Sequence, residues 1–467
     1  MRTSSVSFEY IYRDQIRFES KFYLNDNSFN SMKIERFRNK CYLLSSVAEV
    51  FNPSIFKRQF CKPSPHSVQY FQSSDVPNAA EQSATFVSKS QAESLNLLVK
   101  KDDILITGFG TIGKTRLVSK FQDGVCYANN VCRVRVKPNK KTGFLYSFLS
   151  SKFGFSQLNK NASGSVVRYI EAPGIKKTLI PDFPENFMQE IDNKIQESAR
   201  MRENAEEDLA KAQKLLKDKA FLPSLTTDDY DFYGSCIKDR NVSTFVINRK
   251  EVSSLTINAF NHSKRIRNLE SKITGNCSQL RDVILSGNFF STGSFPRVEV
   301  KKGHGIMLIN QSDIFDRIIQ GKYISRRNVK TDNLVEYGEV MIAGVGTLGE
   351  NETFCRVIFA NEDLVGQLVS GEFLRMKTNG KVPAGYLYAW LSSDYGFRLI
   401  RSTQTGTKLC RPIQKLLLQK PIPIIDEEAM KEIDSLVRTA HTKRYQANKL
   451  ELDAIAIVEQ EIEKWNN

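Results

Sequence analysis

The chain repeats itself, and the repeat constrains its architecture before any single residue is interpreted. Asp103-Ile-Leu-Ile-Thr-Gly-Phe-Gly-Thr-Ile-Gly113 returns 236 residues later as Glu339-Val-Met-Ile-Ala-Gly-Val-Gly-Thr-Leu-Gly349. Gly143-Phe-Leu-Tyr-Ser-Phe-Leu-Ser-Ser-Lys-Phe-Gly-Phe155 returns as Gly385-Tyr-Leu-Tyr-Ala-Trp-Leu-Ser-Ser-Asp-Tyr-Gly-Phe397 at an offset of 242. That offset holds without a gap through Gly164/Gly406, Pro181/Pro423, Glu190-Ile-Asp192/Glu432-Ile-Asp434, Arg202/Arg444 and Ala205/Ala447. Upstream, Gln72-Ser-Ser-Asp-Val76 matches Asn310-Gln-Ser-Asp-Ile314 at 238. Offsets this steady identify a tandem duplication.

Each copy has the same internal order. Short β-like runs bounded by Gly, Asn and Pro come first, such as Ile104 to Thr107 and Val131 to Val136. A short helical block comes next, with Leu145, Phe148 and Leu149 (or Leu387, Trp390 and Leu391) on one side. Proline-punctuated segments, Leu179-Ile-Pro-Asp-Phe-Pro184 and Pro421-Ile-Pro-Ile-Ile425, close each domain.

The pattern then changes. From Glu185 to Lys219 there is no Gly or Pro, and Met188, Ile191, Ile195, Ser198, Arg202, Ala205, Leu209, Ala212 and Leu216 recur at steps of three and four. Met430, Ile433, Val437, Ala440, Arg444 and Ala447 repeat that phase. Residues at those steps form a seam along one helix face. A helix of this length, at ~1.5 Å per residue, is a rod of roughly 50 Å that must bury its stripe. Its duplicate is the obvious partner, and Ser198, Arg202 and Arg444 make the seam more polar than a leucine zipper. The spans expected are 1–184 for the first domain, 185–220 for the first helix, 221–424 for the second domain and 425–467 for the second helix.

Composition narrows the function. Lys and Arg outnumber Asp and Glu by 67 to 52, a formal charge of +15, which favours a polyanionic partner. No apolar run reaches the ~18 residues of a membrane span, and Met1 to Ser20 is polar and charged, unlike a signal peptide. A membrane partner loses ground to nucleic acid, in the cytoplasm. The eight cysteines (Cys41, Cys61, Cys126, Cys132, Cys236, Cys277, Cys355, Cys410) show no C-x-x-C pair, and the four histidines (His66, His262, His304, His441) lie near none of them at zinc spacing. Reduced, mostly buried thiols and no metal are expected.

Gly108-Phe-Gly-Thr-Ile-Gly-Lys-Thr115 fits both G-x-G-x-x-G and the P-loop pattern. A P-loop needs a helix beginning at its Lys, because the helix N-terminus supplies part of the field on the phosphates. The residues after Lys114 read as a β-hairpin, and the second copy puts Glu350-Asn351 where Lys-Thr stand. The glycines are better explained by a tight turn after a buried strand. No G-x-S-x-G, H-E-x-x-H or N-P-P-[YF] motif is present, so no catalytic residue is assigned. A nucleotide-binding enzyme using this loop, and a coiled-coil scaffold binding protein, remain the alternatives.

Positive charge gathers in different places in the two copies. Lys114, Arg116, Lys120, Arg133, Arg135, Lys137, Lys140 and Lys141 face a single acid, Asp123, within 114–141. The corresponding stretch of the second copy is acid-rich (Glu350, Glu352, Glu362, Asp363, Glu372). The basic cluster of that copy lies earlier, at Arg297, Lys301, Lys302, Arg317, Lys322, Arg326, Arg327 and Lys330. With Arg168, Lys408 and Arg411, these are the candidate DNA contacts, since Lys meets phosphates and Arg can also fork onto guanine. Two equivalent scaffolds with different charged loops suit two different reading heads.

In these blocks the chain resembles the specificity subunit of type I restriction–modification systems. The resemblance rests on Asp102 to Gly113 and Gly338 to Gly349, on the small-residue turns Ser163-Gly-Ser165 and Thr405-Gly-Thr407, and on the closing Pro-rich strands with the Glu-Ile-Asp helices behind them. It implies an α+β fold: a duplicated mixed α/β target-recognition domain, each copy leading into a long helix, the helices pairing as an antiparallel coiled coil. It implies a non-catalytic subunit reading a bipartite double-stranded DNA site. Two methyltransferase subunits and restriction endonuclease/translocase subunits are the implied partners, and S-adenosylmethionine, ATP and Mg belong to them. The segment Phe221 to Gln279 fits the N-terminal segment only loosely. Arg17-Phe-Glu-Ser-Lys-Phe-Tyr23 against Thr256-Ile-Asn-Ala-Phe-Asn-His262 is the one correspondence there.

Overall fold

The computed structural model describes Phe8 and residues 26–160, 162, 168–230, 244–293 and 295–465. Ser163-Gly-Ser165, Cys236 and the Arg17–Tyr23 stretch lie outside them. The chain divides into two compact units: one running to Glu203 and resuming at Gln446, the other Asn204–Tyr445. The division falls inside both long helices, so each unit combines one domain with a segment of each helix.

From Asp26 onward the first unit has helix α1 (Asp26–Arg36) and strand β1 (Cys41–Leu43). Strands β2 (Ala48–Phe51), β3 (Phe60–Cys61), β4 (Ser67–Phe71), β5 (Phe86–Ser88), β6 (Ile104–Thr107), β7 (Thr115–Leu117), β8 (Cys126–Tyr127) and β9 (Val131–Val136) come after. Helices α2 (Thr142–Ser150) and α3 (Lys152–Lys160) and strand β10 (Leu179–Pro181) lead into the long helix α4 (Glu185–Lys219), whose first part, to Glu203, belongs to this unit. The strands form two four-stranded sheets, β2-β9-β6-β7 and β3-β5-β4-β8, while β10 returns antiparallel to β1. All four residues of β6 are buried because both faces of its sheet are covered. Ile104, Ile106 and Val134 pack with Phe148, Ile191 and Ile195, whereas Leu105 and Val131 pack with Phe71 and Tyr127 of the other sheet.

The second unit repeats this plan with β11 (Cys277–Gln279), β12 (Ile306–Ile309), β13 (Lys322–Ile324), β14 (Val340–Ala343), β15 (Val357–Phe359), β16 (Leu368–Val369) and β17 (Phe373–Met376). Helices α5 (Ala384–Ser392) and α6 (Asp394–Arg401) precede a hairpin of β18 (Gln404–Thr405) and β19 (Arg411–Pro412). Strand β20 (Pro421–Pro423) leads into the second long helix, α7 (Glu427–Lys464), whose first part, to Tyr445, belongs to this unit. The sheets are β15-β14-β17 and β13-β12-β16. Register proves the equivalence. Tyr70 and Phe71 run parallel to Cys126 and Tyr127, as Leu308 and Ile309 do to Leu368 and Val369, at offsets of 238 and 242. Cys41 pairs with Pro181 and Cys277 with Pro423, so Cys277–Gln279 is the second domain's counterpart of β1, an equivalence hidden by the loose fit upstream.

The repeated motifs perform repeated jobs. Gly143 N donates to Asp192 Oδ1 and Gly385 N to Asp434 Oδ1, each at 2.6 Å, fastening α2 and α5 to the Glu-Ile-Asp turns of the long helices. A side chain at Gly143 would stand 2.8 Å from Ile195 Cβ, and one at Gly385 2.7 Å from Asp434 Oδ1. Ser151 and Ser393 end α2 and α5 and cap the next helix through Gly154 N (3.2 Å) and Gly396 N (3.1 Å).

The long helices pair antiparallel. In the first unit Ile191 and Ile195 share a core with Ala454, Val458 and Ile462, with Met188 partly buried beside them. In the second, Ala212 and Leu216, flanked by Leu209, share one with Met430, Ile433 and Val437. Ala205, Ala440 and Ala447 are fully buried, small side chains that let helices approach closely. Each fully buried Ile or Val is worth about 1.5–3 kcal/mol. The polar seam residues are the ones that cross: Ser198 Oγ donates to Ala447 O (2.8 Å), and Arg202 reaches Asn448 Oδ1 (2.8 Å) and Glu451 (2.6 Å). Arg444 meets Glu206, and Lys443 meets Asp208 at 2.5 Å. No helix among the described residues is long and apolar enough to cross a membrane.

Candidate nucleic-acid interface

Two of the predicted DNA contacts point inward, and the structure corrects both. Arg116 is fully buried, its guanidinium held by Glu81 (2.7 Å) and by Asn78 O (2.5 Å). Arg133 is fully buried as well, donating to the carbonyls of Ala128 (2.9 Å), Leu97 (2.9 Å), Tyr127 (2.7 Å) and Val131. Burial lowers its pKa to about 10. Arg133 shares its strand face with Val131, which packs against Phe71 and Tyr127 of the second sheet rather than meeting water. Arg135 is partly exposed and forks onto Asp103 at 2.9 and 2.7 Å.

Lys137, Lys140 and Lys141 lie in one turn, Lys140 N donating to Lys137 O (3.2 Å). Lys137 Nζ donates to Ser46 O (2.9 Å), Lys141 pairs with Glu185 (3.1 Å), and Asn139 turns the chain with φ 63°. Lys120 is exposed over the Phe121 ring, and its backbone N–H donates to Glu203 (2.7 Å).

The glycine loop is a hairpin tip. β7 pairs antiparallel with β6, Ile106 opposite Thr115, so no helix begins at Lys114. Lys114 N donates to Thr107 Oγ1 (3.0 Å), and the Thr115 hydroxyl is taken by Ser150 (2.6 Å). Gly110 and Gly113 turn the tip with φ of 72° and 83°. Asn159, at the end of α3, touches Ile112 O (3.5 Å) and receives Arg168 on its own carbonyl, which brings Arg168 to this tip. Beside it Phe109 and Tyr169 stack at 5.5 Å, both partly exposed. The second unit keeps the backbone register of this corner and changes its side chains. Gly346 and Cys410 exchange backbone hydrogen bonds of 3.2 and 2.7 Å, and Val345 and Arg411 stand where Phe109 and Tyr169 stand. Lys408 and Arg411 are exposed there. Glu350, in the place of Lys114, pairs with Arg398 (3.1 Å) and Arg401 (4.0 Å), so part of the acid-rich stretch is neutralised internally.

The outer sheets carry the remaining candidates. In the second unit Lys301, Lys302, Lys322, Arg326, Arg327 and Lys330 are all exposed around β13, Lys322 pairing with Glu299 (2.5 Å). Arg317 is partly buried. The first unit has a counterpart that sequence reasoning missed. Phe60 pairs with Val87 on the edge of its outer sheet, and Glu299 bridges to Ile324 in the same way. Val87 and Ile324 are equivalent, because they face Val68 and Ile306. Counting from that point, Arg58 corresponds to Arg297 and Lys62 to Lys301, an offset of 239. The signal is present in the sequence, ten residues upstream of the Gln72 match, but lies beyond a change of offset.

Two structural features suit a polyanion: an exposed basic edge segment common to both units, and a loop corner whose side chains differ between them. No cluster of three or more metal-ligating side chains forms among the described residues. Of the described cysteines, Cys126, Cys132, Cys355 and Cys410 are buried, Cys41 is partly buried, and Cys61 and Cys277 are exposed. Burial raises the thiol pKa of Cys41, Cys126 and Cys132 to about 12.

Residues 39–198 match the family model of the type I restriction modification DNA specificity domain. No curated protein matches the chain. Among solved structures, the S subunit of a type-I restriction-modification system from M. genitalium is 14% identical, with 90% of this chain and 94% of that one covered and a TM-score of 0.35. The HsdS subunit from Thermoanaerobacter tengcongensis is 14% identical, with 91% and 95% covered and a TM-score of 0.27.

Proposed function

From the premise that residues 39–198 are a type I restriction modification DNA specificity domain whose fold the second half repeats, we propose that the chain is a subunit that reads a bipartite DNA site. Each unit reads one half-site, and the chain directs methyltransferase and restriction subunits to the DNA. Methylation and cleavage, with S-adenosylmethionine, ATP and Mg, belong to those partners. The observation that carries this reading is the contrast between the units. They match in the buried fastenings at Gly143/Gly385 and Ser151/Ser393, and they differ at the loop corner, Phe109 and Tyr169 against Val345 and Arg411. Reading two different sequences requires that division of labour. The hairpin after Lys114 speaks against the nucleotide-binding alternative.

The test is a methylome. The full chain is expressed with its partner methyltransferase subunits, and methylated sites are mapped for the wild type and for F109A/Y169A. The variant should relax or change one half-site, at a cost of about 1–3 kcal/mol per base position lost. The other half-site should stay intact. Changes in both halves would sink the modular reading, and methylation independent of this chain would sink the DNA-reading role itself.

A further inference from the structure

The two outer sheets share a feature that the loop corners do not. Arg58 and Lys62 sit two residues either side of Phe60, the pairing point of the edge strand, and Arg297 and Lys301 sit two residues either side of Glu299. Phe60–Cys61 is a two-residue strand and Glu299 an isolated bridge, so the two pairs share their spacing about the pairing point. In both units the segment stands in solvent. Every residue from 57 to 66 is exposed, as are 296–299 and 301–304. Between Glu49 and Asp75 there is no acidic residue at all, and the acid on the second edge, Glu299, is taken by Lys322.

If the chain reads DNA as proposed above, its two reading heads must differ wherever they read bases. A residue pair at the same register in both units cannot distinguish one half-site from the other. The feature that any two half-sites share is the phosphate backbone. Phosphate contacts fix orientation and register, while base contacts specify. Resting on that DNA-reading function, we propose that Arg58 with Lys62, and Arg297 with Lys301, are matched phosphate clamps: each edge segment holds a DNA backbone in the same way, and the differing loop corners read the bases.

Basic residues on an edge strand have another use, which is to prevent edge-to-edge pairing of sheets. Salt dependence separates the two roles. Binding of the full chain to a 40-base-pair random-sequence duplex is measured by fluorescence anisotropy across a salt series, for the wild type, R58A/K62A, R297A/K301A and the charge-preserving R58K/K62R. Each alanine pair should lower the slope of log K against log salt by about 1.8, two contacts at ~0.9 each. The two decrements should be alike, and R58K/K62R should keep the wild-type slope. In the methylome assay the alanine variants should methylate fewer sites of the same sequence. Unchanged slopes, with or without new self-association, would overturn the clamps, as would a change in the sequence methylated. A wild-type chain that binds no duplex at 50 mM salt would instead sink the DNA-reading function. The side chains are solvent-exposed, so thermal melting should match the wild type; a variant that melts early is replaced by Arg58→Gln with Lys62→Gln.

Discussion

In the first unit Arg133 lies across β6 from Leu105; in the second Arg375 lies across β14 from Met341. Both are fully buried, and both reach back to the turn before the strand, to Leu97 O in one case and Asn333 O (2.8 Å) in the other, residues 236 apart. They differ in what balances the charge. Arg375 forks onto Glu339 with two bonds of 2.9 Å. Among the described residues Arg133 donates only to carbonyls, while Asp103, one methylene shorter, turns instead to Arg135. The acid keeps one task in both units: it accepts the backbone N–H three residues earlier, Lys100 or Glu336, each at 2.9 Å. Duplication preserved the turn and left the choice of arginine to drift.

The largest expected effect tests that difference. Glu339→Ala strands Arg375 without its carboxylate in a dry site, and breaking a buried pair in this way costs about 3–5 kcal/mol. Asp103→Ala leaves Arg135 free to turn to water, so its cost is the lost backbone fastening, about 1–3 kcal/mol. Amide hydrogen exchange in β14 and in β6 reads the two units separately. Equal losses would mean that the carboxylate, not the arginine it meets, sets the stability of both turns.

Next in size is a change that should act alike on the two units. Gly143→Ala and Gly385→Ala each force a methyl group against the long helix, 2.8 Å from Ile195 Cβ or 2.7 Å from Asp434 Oδ1. Overpacking of this kind costs about 1–3 kcal/mol. Urea unfolding should show similar losses for both variants. A loss confined to one would show that the two fastenings are not equivalent.

Much of this scaffold is legible in the sequence because the second copy serves as a check on the first. The Gly-rich blocks, the Ser-Ser-x-x-Gly break and the Glu-Ile-Asp helices carry their own geometry, and each occurs twice. The burial of Arg116 and Arg133 is not legible, because period-2 alternation cannot say whether the polar face meets water or another sheet. Arg58 and Lys62 escape notice because loops of different length shift the offset from 238 to 239, and short edge strands carry little periodic signal. Strand register, not residue identity, restores the match.

The smallest effect sits at a single non-equivalent position on the long helices. His441 corresponds to Ala199. The imidazole is buried between Phe359 (5.0 Å) and Tyr388 (5.1 Å), and its Nε2 finds no hydrogen-bond partner among the described residues. Burial, with Arg444 nearby, pushes its pKa well below the ordinary histidine value, so the folded protein holds it neutral. The unfolded chain takes up the proton as pH falls below about 6.5, and the folded chain does not until far lower. The unfolded state therefore binds more protons, and stability falls with falling pH, approaching ~1.4 kcal/mol per unit once the pH is below about 6. His441→Phe should flatten that slope between pH 6.5 and 5. Exchange in β14 should report the acid sensitivity, while β6, whose unit has Ala199 at this place, should not. An equal response of both strands, surviving in His441→Phe, would assign the acid sensitivity to groups common to the two units.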